Sequence, residues 1–255
     1  VSTAPTRDAF LGGRLVLSQP PKGHRAGTDA ALLAAALSPG ANDTVFDLGA
    51  GVGAAGLALA ARVPGCRVVL VELDPAIAAL ARGNVEANGL SARVAVIEAD
   101  VTAPARQRTA AGLAPNSAGM VMMNPPFHLP GAVRASPDAY RRQAHVLPAA
   151  TDEAWICAAA ALLRPGGVLA LIHRADALPR LLTALAGRFG DIRLKPVSPR
   201  AEAAATRLIV RAVKGSRALP VLLPPLVLHE PPGGFTATAE ALHRGTAAIA
   251  WFPGA

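Results

Sequence analysis

From Thr44 onward, short apolar β-prone runs alternate with Ala- and Leu-rich stretches, and this alternation constrains the fold more than any other feature of the chain. Thr44 to Leu48 reads as a strand, followed by a glycine-rich turn and a helix to about Arg62. Arg67 to Leu73 and Arg93 to Ala99 read as the second and third strands, separated by a helix over Pro75 to Asn88. Asp74 is placed to cap that helix, Pro75 suits its first turn, and Asn88-Gly89 suits its end. Gly119 to Met123 is the fourth strand. A helix over Thr151 to Leu163 stops before Arg164-Pro165-Gly166-Gly167, and Val168 to His173 and Asp176 to Arg188 supply a fifth strand and another helix. Two further β-prone runs follow, Ile192 to Val197 and Arg207 to Val213. Such alternation predicts an α/β architecture, a doubly wound and mostly parallel sheet with helices on both faces. Ahead of it, Phe10 to Leu17 reads as a hairpin around Gly12-Gly13, and Lys22 to Asp29 as a loop entering a helix over Ala30 to Leu37, with Thr28 or Asp29 as N-cap.

A doubly wound sheet binds ligands beyond the C-terminal ends of its strands. Four such ends carry distinctive residues. After the first strand comes Asp47-Leu48-Gly49-Ala50-Gly51-Val52-Gly53, whose glycines permit a tight turn and close backbone approach by a ligand. Gly51 to Gly56 also matches the dinucleotide pattern G-x-G-x-x-G. Asp47 separates the two readings: a carboxylate sits poorly beside a pyrophosphate and well beside the ammonium and sulfonium of S-adenosylmethionine. Glu72, at the second strand end, suits a ribose diol, which both cofactors carry. Asp100, at the third, is placed to accept from the exocyclic amine of an adenine.

Asn124-Pro125-Pro126-Phe127 follows the fourth strand at once. An aromatic amine is a poor nucleophile because its lone pair is delocalised into the ring. Two acceptors, the Asn124 side-chain oxygen and the Pro125 carbonyl, favour a pyramidal nitrogen with an available lone pair. Consecutive prolines hold those acceptors in place, and Phe127 offers a face for an extruded base. Read as an ordinary turn, the tetrapeptide is a proline-stiffened corner; its position after the fourth strand favours the chemical reading.

The formal net charge of +8 favours an anionic partner, with nucleic acid foremost. His128, Arg134, Arg141 and Arg142, in the long segment after the tetrapeptide, are candidates for contacting it. A second basic series, Arg188, Arg193, Lys195, Arg200, Arg207, Arg211, Lys214 and Arg217, forms a candidate phosphate track. Cys66 and Cys157 are far apart and lack metal-ligand spacing, so a reducing cytoplasm with neither disulfide nor metal is expected. No apolar run approaches the ~18–20 residues that span a bilayer. Trp155, Trp251, His173 and His243 read as packing residues, and His24, His145 and His229 as further contact candidates.

Asp47 to Gly53, Glu72, Asp100 and Asn124 to Phe127 together resemble the class I S-adenosylmethionine-dependent methyltransferases of the amino-methylating type. The resemblance spans roughly residues 10 to 230. It implies a Rossmann-like, seven-stranded sheet with an antiparallel last strand drawn from the two late β-prone runs. His24 to Asp29 together with Asn124 to Phe127, the segment from Ser136 through His145, and His229-Glu230 are similar to bacterial enzymes that methylate the N6 amine of adenine 37 in a valine tRNA. In that group the residues ahead of the first helix help close over the cofactor, which makes Thr28 and Asp29 secondary cofactor candidates. The implied organisation is a covering hairpin and helix over residues 1–40, then a methyltransferase domain over 41–255 with a Pro-rich C-terminal extension. The expected partner is RNA, with tRNA foremost.

Phe127 stands where those tRNA enzymes often carry Tyr, and Phe127-His128 is reminiscent of ribosomal-RNA guanine-N2 methyltransferases. Glutamine methyltransferases acting on proteins share the tetrapeptide but usually carry a helical N-terminal domain, against ~40 residues before the first strand here. A nicotinamide-dependent oxidoreductase built on Gly51 to Gly56, and an RNA-binding protein without activity, are the readings from other classes.

Overall fold

In a computed structural model, residues 4–21, 25–126 and 152–252 are described. The chain opens with a hairpin, β1 (Thr6–Phe10) and β2 (Leu15–Gln19), paired antiparallel, and continues into α1 (Thr28–Ala35). There follow β3 (Thr44–Leu48), α2 (Ala54–Arg62), β4 (Arg67–Glu72), α3 (Pro75–Ala87), β5 (Val94–Glu98), α4 (Ala105–Ala110) and β6 (Ala118–Met123). After a helix over 152–162, here α5, come β7 (Leu163–Arg174), α6 (Leu178–Leu185), β8 (Phe189–Ser198) and β9 (Arg207–Lys214). Two short strands, β10 (Val221–Leu222) and β11 (Leu226–Val227), and α7 (Ala237–His243) complete the described elements.

The main sheet runs β5-β4-β3-β6-β7-β9-β8. Its first five strands are parallel, and β9 enters antiparallel between β7 and β8. This is the doubly wound, mostly parallel sheet with an antiparallel late strand that the alternation and the family resemblance predict. The expected count of seven strands is exceeded. β10 and β11 both pair parallel with β8, giving nine strands among the described residues. They come from the Pro-rich stretch around Pro220, Pro224 and Pro225. Proline is tolerated there because an outer strand leaves one row of backbone groups without ladder partners.

Each face of the sheet carries its own core. On one face Val45, Met122, Ala170 and Ile172 pack with Leu32 and Leu33 of α1 and Leu57 of α2. Leu17 of the hairpin and Leu242 and Trp251 near the C-terminus join that same cluster. On the other face Phe46, Leu48, Val121, Met123 and Leu171 pack with Ile156, Leu181 and Leu185 of α5 and α6. The period-2 alternation of strand side chains therefore sends Asp47 and Asn124 to the α1/α2 side.

Local departures from expectation have visible causes. α1 is capped by Gly27, with no side-chain cap, because Thr28 and Asp29 turn toward other partners. β7 begins at Leu163 rather than Val168, and its register with β6 slips between Ala118 and Met120 to absorb Pro165-Gly166-Gly167. α4 has no buried residue, so it has no apolar stripe to betray it in the sequence. α3 follows expectation: Asp74 accepts from the amides of Ala76 and Ile77, and Asn88 is its C-cap.

Candidate active site

The strand order reverses between β3 and β6, and that switch point opens a cavity of about 420 Å³. Its lining includes Asp47, Gly49, Gly51, Glu72 and Asn124, one residue or more from each of three neighbouring strand ends. Pro20 and Ala26, with Ala30 and Leu33 of α1, supply an apolar wall opposite. The volume falls in the range of small-molecule sites, and a mostly apolar wall with few polar groups is their usual make-up.

Asp47 is 2% exposed, and its Oδ2 accepts the Gly56 amide at 2.9 Å. Burial pushes its carboxyl up to about 7; the Gly56 N–H offsets part of that rise, and the Glu72 charge adds to it. A cation in the cavity would relieve both burdens. Gly56 is required for this contact. A Cβ there would stand 2.2 Å from Leu70 Cδ2 and 3.2 Å from Asp47 Oδ2.

Glu72 holds the glycine turn from the other side. Its Oε2 accepts the Gly51 amide at 2.8 Å, and its Oε1 accepts the amides of Leu73 and Asp74 at 2.8 and 2.9 Å. A carboxylate has about four acceptor positions, so with three amides bound Glu72 keeps room for one further donor, such as a ribose hydroxyl in the cavity. Gly53 serves as N-cap of α2 at φ +87°, a left-handed conformation that favours glycine.

Asn124 supplies the clearest sign of an absent partner. Its side-chain Oδ1 is buried and has no hydrogen-bond partner among the described residues. A buried acceptor left unmatched costs roughly 1–3 kcal/mol, and such groups in folded proteins ask for an explanation. A donor arriving in the cavity provides one. Pro125 and Pro126 continue from Asn124 within the described residues, whereas Phe127, His128, Arg134, Arg141 and Arg142 lie outside them, as do His24 and His145.

Other expected residues are placed differently. Asp100 is not among the residues lining the cavity. It folds onto its own loop, accepting the Thr102 amide at 2.8 Å and the Thr102 hydroxyl at 2.7 Å. Thr28 and Asp29 also stand outside the lining: the Thr28 hydroxyl meets His243 Nε2 at 3.2 Å, and Asp29 pairs with Arg207 at 3.0 Å. Ala30 and Leu33 are the α1 residues at the cavity, spaced one turn apart, but nothing in an apolar stretch distinguishes them beforehand.

Five of the eight cations in the late basic series are engaged within the fold. Arg193 and Arg211 both grip Asp191 at 3.0 Å, Lys214 reaches Asn116 and the Leu163 carbonyl, Arg188 reaches the Ala184 carbonyl, and Arg207 is held by Asp29. These cations neutralise and tie the fold. Asp191 lies within the series itself, whereas Asp29, which takes Arg207, is remote in sequence and becomes its partner only in the fold.

The Asp47 to Asn124 arrangement suits a cationic, ribose-bearing donor on one side and an N–H donor on the other. The model of the methyltransferase small domain matches residues 24–195. The tRNA1(Val) (adenine(37)-N6)-methyltransferase of Porphyromonas gingivalis is 30% identical over 227 residues, covering 88% of this chain and 80% of that protein. The release factor glutamine methyltransferase of Moorella thermoacetica is 35% identical over 153 residues, 53% of this chain and 47% of that one. Among solved structures, a predicted O-methyltransferase from Agrobacterium tumefaciens superposes with a TM-score of 0.75 at 36% identity, covering 87% of this chain and 98% of that one. The relatives named are methyltransferases rather than nicotinamide-dependent oxidoreductases, and the chain belongs to the methyltransferase small-domain family.

Proposed function

We propose that this chain is an S-adenosylmethionine-dependent N-methyltransferase acting on an exocyclic base amine in RNA, and that its acceptor is the N6 amine of an adenine in tRNA. The Asn124 Oδ1, buried at the cavity and unmatched among the described residues, carries the reading. Bound there, S-adenosylmethionine supplies an electrophilic methyl group. Asp47 takes the cationic amino-acid end and Glu72 the ribose diol. Asn124 Oδ1 and the Pro125 carbonyl accept the two N–H groups of the acceptor amine, which frees its lone pair for in-line attack. No strong base is needed, since the methylated nitrogen loses its proton after transfer. Phe127 stacks on the base, His128 meets it, and Arg134, Arg141 and Arg142 hold RNA phosphates. Asp100 serves the adenine of the cofactor once it exchanges Thr102 for that amine. The segment 1–40, with Ala30 and Leu33 at the wall, covers the cofactor, and Thr28 and Asp29 act through the loop ahead of α1.

Support for the tRNA acceptor comes from the Porphyromonas gingivalis relative, which matches over most of both chains, whereas the glutamine methyltransferase match spans about half of each. An enzyme of this kind works in the cytoplasm. Incubating the protein with labelled S-adenosylmethionine and, separately, unmodified tRNA, ribosomal RNA and release factor tests the acceptor. Label in tRNA as N6-methyladenosine is the expected outcome; label as N2-methylguanosine or on glutamine replaces it with another amine.

A further inference from the structure

Two asparagines one helical turn apart, Asn84 in α3 and Asn88 at its C-cap, take the place of a missing strand. Asn88 Oδ1 accepts the Val16 amide at 2.9 Å and its Nδ2 donates to the Val16 carbonyl at 2.9 Å. Asn84 does the same to Ser18, at 2.7 and 3.0 Å. Residues two apart on a strand present their backbone groups to one edge, and residues four apart on a helix share one face. The pair therefore seals the free edge of β2.

Asn84 makes one bond that Asn88 does not. It is fully buried, and its Nδ2 also donates to the Val52 carbonyl at 3.0 Å, inside the glycine turn that lines the cavity. That carbonyl is available for a reason. In a continued α-helix the Gly56 amide would donate to Val52, four residues back. Here the Gly56 amide goes to Asp47 instead. Asp47 and Asn84 thus divide one helical hydrogen bond between them, and each half orients a different part of the turn.

We infer that Asn84 is a positioning residue for the cofactor turn, and that through it the β1–β2 hairpin and the bound cofactor stabilise one another. The inference rests on the reading of this cavity as the S-adenosylmethionine site. Coupling of this kind is reciprocal by linkage, so either end can report it.

Asn88 provides the control, because it grips the same hairpin without touching the turn. S-adenosylhomocysteine, the demethylated product, is titrated by calorimetry into the wild-type chain, Asn84→Ala and Asn88→Ala, and amide exchange at Val16 is followed with and without it. Both variants should lose thermal stability, since both release part of β2. Only Asn84→Ala should weaken S-adenosylhomocysteine, by about tenfold, the order expected for one buried carbonyl left unmatched. In the wild type the ligand should slow exchange at Val16, and in Asn84→Ala it should not. Equal loss of affinity in both variants, or Val16 exchange in the wild type indifferent to bound ligand, overturns the coupling; the second readout needs no variant. A wild-type chain that does not bind S-adenosylhomocysteine defeats the cofactor reading itself, and the coupling with it.

Discussion

Glu72 reaches from the end of β4 to the neighbouring turn and accepts the Gly51 amide at 2.8 Å, so one carboxylate both shapes the glycine turn and faces the cavity that the turn lines. The backbone amides of Leu73 and Asp74 fix its other oxygen. A group held by three amides is preorganised, and a ligand diol meeting it pays little for its ordering.

Replacing Glu72 by Gln keeps an acceptor but removes the charge. Charge-assisted hydrogen bonds are roughly twice as strong as neutral ones, so S-adenosylmethionine affinity should fall by about tenfold. A 2′-deoxyribose analogue should bind the wild type more weakly than the parent cofactor, and Glu72→Ala should bind the two nearly alike. Calorimetry on the four combinations checks this; discrimination surviving in Glu72→Ala removes the diol contact.

Asp47 should make cofactor binding depend on pH. Its carboxyl, held near 7, must release a proton to meet a cation. Affinity for S-adenosylmethionine should therefore rise about tenfold per unit up to pH ~7 and level off above it. Stability of the unliganded protein runs the other way. Between the ordinary carboxyl value of 3.8 and about 7 the folded chain keeps a proton that the unfolded chain has released. Stability consequently falls as pH rises through that window, by up to ~1.4 kcal/mol per unit, and stays low above it. Asp47→Asn should flatten both dependences, as calorimetry and thermal melts from about pH 4 to 8 would record.

Asn124→Ala should separate binding from chemistry. Removing an acceptor that has no partner among the described residues leaves no orphan among them, so thermal stability should hold or rise slightly. Cofactor affinity should stay within about twofold, while single-turnover methyl transfer falls by ~100-fold or more, as expected for loss of a transition-state acceptor. Transfer at the wild-type rate would remove Asn124 from the reaction.

Arg211→Ala should act on the fold rather than on RNA. Arg211 and Arg193 share Asp191, whose side chain is 22% exposed, and Arg193 also donates to the Trp251 carbonyl. Losing Arg211 should cost about 1–3 kcal/mol, because it leaves that carboxylate half-compensated. The slope of RNA affinity against salt should not change; a slope shallower by about one charge would put Arg211 on a phosphate.

The polar half of the site was legible because strand ends are recognisable. Once Thr44 to Leu48, Arg67 to Leu73 and Gly119 to Met123 read as parallel strands, Asp47, Glu72 and Asn124 had to converge at one rim. The apolar wall was not legible, because Ala30 and Leu33 look like any core residues. Asn84 was hidden for the opposite reason: an Asn within a helix reads as part of a polar face until the hairpin packs against it. The turn of Asp100 onto Thr102 carries a local signal, an aspartate two residues ahead of a hydroxyl, which favours just such a loop contact. The extra edge strands were obscured by the flanking Pro220, Pro224 and Pro225, which argue against a strand everywhere except at a sheet edge.

The central claim, methylation of an adenine amine in tRNA, is tested most directly by nucleoside mass spectrometry on tRNA from otherwise identical cells that have or lack this protein. Loss of N6-methyladenosine, restored by the wild-type chain and not by Asn124→Ala, is the predicted result. Unchanged N6-methyladenosine, with loss of a different methylated nucleoside or of none, would contradict it.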